Sequence, residues 1–225
     1  MVTILNIETA TSACSVALAK DGVVIASEEN NDGMVHAEKI TLLIKNLMEK
    51  ASFSLHNIDA IAIGTGPGSY TGLRIGTATA KGLCYALDKP LIAVPTLKAM
   101  AYGAAQKLKR EDVLYCPMID ARRLEVYTAL FDHSGKEILP VQAKILDNTS
   151  FAEYKTIAFF GDGMPKMKEL FANDSNKIWL DSIYASALNM CHMAEEMFAS
   201  KTFSDVAYYE PFYLKDFVAG KKVTS

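Results

Sequence analysis

The residues with the strongest suggestion of chemistry run from Gly64 to Gly76 and read GTGPGSYTGLRIG. Glycine-rich turns that open a helix can offer backbone amides to an anion. This one satisfies neither G-x-G-x-x-G nor G-x-x-x-x-G-K-[ST], and Pro67 removes one amide donor. Ser69 and Thr71 carry hydroxyls, but G-x-S-x-G fails because Pro67 takes the first glycine position, and no His-Asp pair lies close in sequence. The turn therefore reads as mechanical: glycines permit unusual backbone angles, and Ser69 or Thr71 caps the helix that follows.

Two carboxylates form the second group. Ile7-Glu8-Thr9 and Ile119-Asp120-Ala121 each end a strand-like segment in an acidic residue, and carboxylates facing each other across a cleft can hold a metal-bound nucleotide. Glu8, Thr9, Thr11, Ser12, Asp120 and Arg122 are the resulting cleft candidates. Both following loops, Thr9-Ala10-Thr11-Ser12-Ala13 and Asp120-Ala121-Arg122-Arg123, lack glycine, so phosphate could not approach the backbone closely and a nucleotide would bind weakly. His36, His56, His133 and His192 are isolated, with His36 near a helix start, so no metal site is expected. Cys14, Cys84, Cys116 and Cys191 form no C-x-x-C pair, which fits reduced thiols in a cytoplasm. No catalytic residue is identified.

The elements that must position these residues follow from periodicity. Strand patterns at 4–9, 14–19 and 23–27 form a meander, with Lys20-Asp21-Gly22 as a turn. A helix over 37–51 carries Ile40, Leu43, Ile44, Leu47 and Met48 on one stripe. A strand at 59–64, a helix at 71–87, a strand at 91–94 and a helix from Pro95-Thr96 toward Lys109 complete the first half. The second half repeats the order: strands at 113–119, 124–131 and 138–143, a short helix at 151–154, a strand at 156–160, a helix at 166–171, a strand at 178–180 and a helix at 185–199. Such duplication predicts two similar α/β lobes facing a cleft, divided as 1–104 and 105–225.

Within the 71–87 helix, Gly72, Gly76, Ala80 and Cys84 make a small-residue stripe at four-residue spacing, which lets another element approach closely. Leu73, Ile75, Leu83 and Leu87 add apolar surface elsewhere, so the helix wants more than one packing partner. Burial of both helices within the monomer is the alternative. Net charge is −3, which lacks the basic footprint of a chain that grips nucleic acid by itself; Lys215, Lys221 and Lys222 are the only basic cluster and read as a solvated tail. The start, MVTILNIET, is unlike a signal peptide, and no apolar run reaches membrane-spanning length, so a cytoplasmic protein is expected.

The segments ILNIETATSACSVAL, GTGPGSYTGLRIGTATAKGL, IDARRLEVY, GDG and PFYLKD, in that order, resemble the bacterial TsaB family, also called YeaZ. The resemblance spans nearly the whole chain, and GPGSYTGLRIG is its specific part. It implies an actin-like fold of the sugar-kinase and Hsp70 group, with duplicated, ribonuclease H-like βββαβα lobes related to the larger catalytic subunit TsaD. It further implies a non-catalytic partner of TsaD and of the ATPase TsaE. Together they would transfer a threonylcarbamoyl group, made elsewhere from threonine, bicarbonate and ATP, to the adenosine beside the anticodon of tRNAs reading codons that begin with A. The tRNA would be contacted mainly through the complex, proteins of the family also form homodimers, and no cofactor is firmly implied, ATP or ADP with magnesium being the candidate for weak or subunit-junction binding.

In that family the subunit contact uses the first two helices, here 37–51 and 71–87, which makes Ile40, Leu43, Ile44, Leu47, Gly72, Leu73, Gly76 and Ala80 the expected interface. Gly76→Leu or Ala80→Glu is then expected to block pairing while the monomer stays folded. Glu8 stands where the family more often has Asp, and Tyr70 where Phe is common. The catalytic relative's paired metal-binding histidines are absent, against an older label of glycoprotease. Two enzymatic readings stay open beside the partner role: an independent ATPase or small-molecule kinase using the cleft, and a peptidase using Ser69.

Overall fold

The computed structural model describes residues 1–31, 37–171 and 176–215. His36, Lys221 and Lys222 lie outside them. Thr3–Glu8 (β1), Cys14–Lys20 (β2), Val23–Asn30 (β3), Ala60–Gly64 (β4) and Leu91–Val94 (β5) form one sheet in the order β3-β2-β1-β4-β5. Leu114–Asp120 (β6), Glu125–Phe131 (β7), Glu137–Ile145 (β8), Ile157–Phe160 (β9) and Lys177–Leu180 (β10) form a second in the order β10-β9-β6-β7-β8. Each sheet is a meander of three strands extended by two parallel strands beside the first, so the two orders are the same topology. The internal repeat is thus real, and the fold is the duplicated actin-like one.

β1 is buried along its whole length because both faces of the sheet are covered. Strand residues alternate sides, and the alternation sorts the core. Leu5 and Ile7 pack with Ile40, Leu47, Ile63 and Ala80, on the side of the helices Ala37–Lys50 (α1) and Tyr70–Leu87 (α2). Ile4 packs with Ile92, Met190 and Met193, on the side of Cys191–Ala199 (α5). In the second lobe Tyr115 and Phe131 meet Met100 and Ala104 of Thr96–Leu108 (α3), whereas Cys116 and Phe159 meet Met167 of Pro165–Leu170 (α4). Each fully buried Leu, Ile or Phe contributes roughly 1.5–3 kcal/mol.

Two expected helices differ. Residues 151–154 form turns, with Phe151 in the left-handed region at φ +64° and its ring buried among Phe159 and Leu146. The 185–199 segment is broken into a short 3-10 turn at Ala187–Asn189 and α5, because Ser186 caps the turn through Leu188 N and redirects the chain. The sheets divide between Val94 and Leu114, with α3 in between and the position 104/105 inside that helix, and α5 of the second half returns to cover the first sheet. Among the described residues no helix is long and apolar enough to cross a membrane.

Candidate functional site

Glu8 ends β1 with a side chain only 1% exposed. Its Oε1 accepts hydrogen bonds from the backbone N–H of Thr9 and of Ala10, both at 2.8 Å, and its Oε2 accepts from Thr96 Oγ1 at 2.9 Å. Thr96, itself fully buried, accepts from Gly66 N at 3.0 Å. Burial raises the Glu8 pKa, and the bonds from Ala10, Thr96 and Thr9 pull it back down. The amides that a phosphate would need in this loop are therefore held by the chain's own carboxylate. Thr9 and Thr11 are buried as well, and Ser12 is the one cleft candidate of this lobe that is exposed.

Asp120 occupies the matching place at the end of β6. Its Oδ1 receives Lys166 Nζ at 2.8 Å and Arg122 N at 2.5 Å, and its own N–H donates to Asp162 Oδ1 at 3.2 Å. Lys166 Nζ also donates to Glu125 O at 2.9 Å, and Lys215 pairs with Glu125. Arg122 and Arg123 both take positive φ, +70° and +54°, to turn the β6–β7 hairpin, and this points their side chains into solvent rather than into a shared pocket. An ammonium thus sits on Asp120 where a cation would be needed. Among the described residues no three His, Cys, Asp or Glu side chains converge as a metal site would require.

Ser69 is the N-cap of α2: its Oγ accepts from Gly72 N at 3.2 Å and its N–H donates to Ala10 O at 2.7 Å. Gly66 holds φ +93°, which favours glycine, and a Cβ on Gly68 would overlap Ala10 O. These contacts give the turn the capping and packing role that its composition suggested.

The outer surface of α1 and α2 is different in kind. An apolar groove of about 740 Å³ lies between them, lined in part by Ile44, Met48, Phe53, Leu55, Thr79 and Leu83. Leu42 (55% exposed) and Tyr85 (89%) stand on the flanking helix faces. Along α2, Arg74, Ala78 and Gly82 point outward at four-residue spacing, and Gly82 faces open space. Lys81 anchors the C-terminal segment beside this face by donating to Ala207 O (3.0 Å) and Tyr209 O (3.2 Å). A smaller cavity of about 410 Å³ sits between the lobes, among Thr65, Leu97, Lys98, Phe131, Glu137 and Phe212.

The family model described as "TsaD: tRNA N6-adenosine threonylcarbamoyltransferase" matches residues 26–219. The "tRNA threonylcarbamoyladenosine biosynthesis protein TsaB" of Escherichia coli K12 is 35% identical, over 98% of this chain and 97% of its own length. The chain belongs to the TsaB/YeaZ family. YeaZ from Pseudomonas aeruginosa superposes with a TM-score of 0.76 at 28% identity, over 95% of this chain and 100% of that one. The activator of 2-hydroxyisocaproyl-CoA dehydratase from Clostridium difficile, solved with bound ADPNP, shares the fold at a TM-score of 0.53 and 10% identity, over 89% of this chain and 96% of that one.

In this TsaB-family chain the expected interface residues are covered within the lobe, with Ile44 also lining the apolar groove. Ile40, Leu43, Ile44, Leu47, Leu73 and Ala80 are 8% exposed or less, and Gly72 and Gly76 are buried too. The small-residue stripe faces the chain's own first loop, since a Cβ on Gly72 would overlap Thr9 O and one on Gly76 would overlap Thr9 Oγ1. The sequence stripe therefore sets the approach of α2 to its own sheet, and the outward line lies at Arg74, Ala78 and Gly82. Gly76→Leu and Ala80→Glu would damage the monomer rather than probe a surface. The Glu8–Thr96 bond spans 88 residues and carries no local sequence signal.

Proposed function

We propose that this chain acts in tRNA threonylcarbamoyladenosine biosynthesis as a non-catalytic subunit. It pairs with a TsaD-type catalytic subunit and supports transfer of the threonylcarbamoyl group to the adenosine beside the anticodon of tRNAs reading codons that begin with A. The observation that carries the reading is the near full-length match to TsaB. The surface offered for pairing is the outer face of α1 and α2, where an apolar groove, Leu42 and Tyr85 are solvent-exposed in the single chain. Two copies close the same face on each other when the partner is missing. TsaE joins the assembled pair, tRNA is held mainly by the complex, and the setting is cytoplasmic.

ATP or ADP with magnesium belongs to this proposal as a weakly held or subunit-junction ligand, because Glu8 and Asp120 are already engaged by the chain's own donors. In this reading Ser69 serves as the cap of α2, its hydroxyl oxygen accepting from Gly72 N, and not as a nucleophile. The test is light-scattering sizing of the chain alone and with its cognate TsaD, followed by transfer to tRNA. Co-elution as a pair, with activity in the pair and in neither subunit alone, is expected. A TsaD that is fully active without this chain would overturn the proposal.

A further inference from the structure

We propose that Glu8 is a positioning residue for subunit docking: its buried carboxylate fixes the glycine turn that sets where α2, the docking helix, begins. This rests on the reading of α2 as part of the docking face. The carboxylate reaches the turn at three points. At its start, Gly64 lies so close that a Cβ there would overlap Glu8 Oε2. In its middle, Gly66 N donates to Thr96 Oγ1, which in turn donates to Glu8 Oε2. At its end, Glu8 Oε1 orders Thr9 and Ala10 by their amides, and Ala10 O receives the N–H of Ser69, the cap of α2.

The same loop bears on the helix itself. Thr9 O faces Gly72 and Thr9 Oγ1 faces Gly76, each at a distance that only glycine allows, so a shift of loop 9–10 must move the first two turns of α2. Arg74 lies between those glycines on the outward line. A buried acid at a strand end, which in an actin-like fold invites a reading as a ligand seat, is here joined on both oxygens to its own backbone and to Thr96. An aspartate side chain is one methylene shorter and could not keep the two amides and Thr96 together without moving one of them, which gives the longer side chain a reason at this position.

The test uses the full-length chain and its catalytic partner. Glu8→Ala, Glu8→Gln and Thr96→Val are compared with wild type by amide exchange over residues 64–73, by thermal melting, and by partner affinity. Glu8→Ala is expected to weaken partner binding by about tenfold or more, with faster exchange confined to the turn and the start of α2. Glu8→Gln keeps the length and the acceptor for both amides, and its Nε2–H can donate to Thr96 Oγ1 in place of the bond Oε2 accepts, so it should restore affinity to within about threefold of wild type. Thr96→Val removes one link at nearly constant volume, so it reports on the path even where Glu8→Ala folds poorly; it should loosen the same segment and weaken binding to a lesser degree. Unchanged affinity in both Glu8→Ala and Thr96→Val, unchanged exchange over 64–73, or a Glu8→Gln defect as large as that of Glu8→Ala would overturn the positioning role. A wild-type chain that does not bind the partner at all would instead overturn the docking reading, and the proposal with it.

Discussion

Burial holds the Glu8 carboxyl above its ordinary value of 4.5, and the hydrogen bonds from Ala10, Thr96 and Thr9 only partly offset that cost. The native state therefore binds the Glu8 proton more tightly than the unfolded chain does. Stability drawn from this group is highest in acid and declines as pH rises from 4.5 through the raised native value. Glu8→Gln removes the titration but keeps the side-chain length. Denaturant melts from pH 4.5 to 8 should show wild type losing ground to Glu8→Gln as pH rises, and a difference that is flat or runs the other way would show that the carboxylate is not desolvated in solution. The thiols carry the same signature of burial: Cys14, Cys116 and Cys191 are pushed up to about 12, which leaves them unreactive packing residues. Glu8 and Asp120 were visible in the sequence as strand-end acids. Their partners, Thr96 and Lys166, were not, because those contacts join residues 88 and 46 positions apart.

For α2, the element that links the turn to the docking face, periodicity predicts the span almost to the residue. Ser69 caps its start, and Asp88 ends it in the left-handed region at φ +52° with its N–H on Cys84 O. What periodicity left open was which small stripe faces outward. Gly76 and Gly82 separate the two cases. Gly76→Leu should destabilise the monomer by about 3 kcal/mol, measured by chemical denaturation, because the added side chain meets Thr9 and Ile63. A Cβ at Gly82 meets nothing within 4 Å among the described residues, so Gly82→Arg should raise monomer stability by roughly 0.5–1 kcal/mol through helix propensity. The same Gly82→Arg variant should lose pairing on a sizing column, since a bulky cation then stands on the outward line. Intact pairing in Gly82→Arg would move the docking face away from α2.

At the level of the whole molecule, two lobes of one topology enclose a cleft whose two acidic poles are internally satisfied, by backbone amides at Glu8 and by Lys166 at Asp120. Calorimetry of the isolated chain with ATP and magnesium is expected to show binding no tighter than about 1 mM. Tight, saturable binding would favour an independent ATPase over a docking subunit. The amino-acid order alone was enough for the repeat, the strands and the longer helices of the first half, the capped glycine turn and the family resemblance, because each of these is written in local periodicity or contiguous motif. Three features had to wait for the tertiary structure. The stripe of Gly72, Gly76 and Ala80 turned inward, the segment 185–199 broke at Ser186 so that α5 could return to the first sheet, and Glu8 found Thr96 across the turn. A helix with small or apolar residues around most of its girth does not say which side meets its own sheet, and a buried carboxylate does not name its distant donors. Only the packing of loop 9–10 against α2, which excludes any side chain larger than hydrogen at Gly72 and Gly76, decides both.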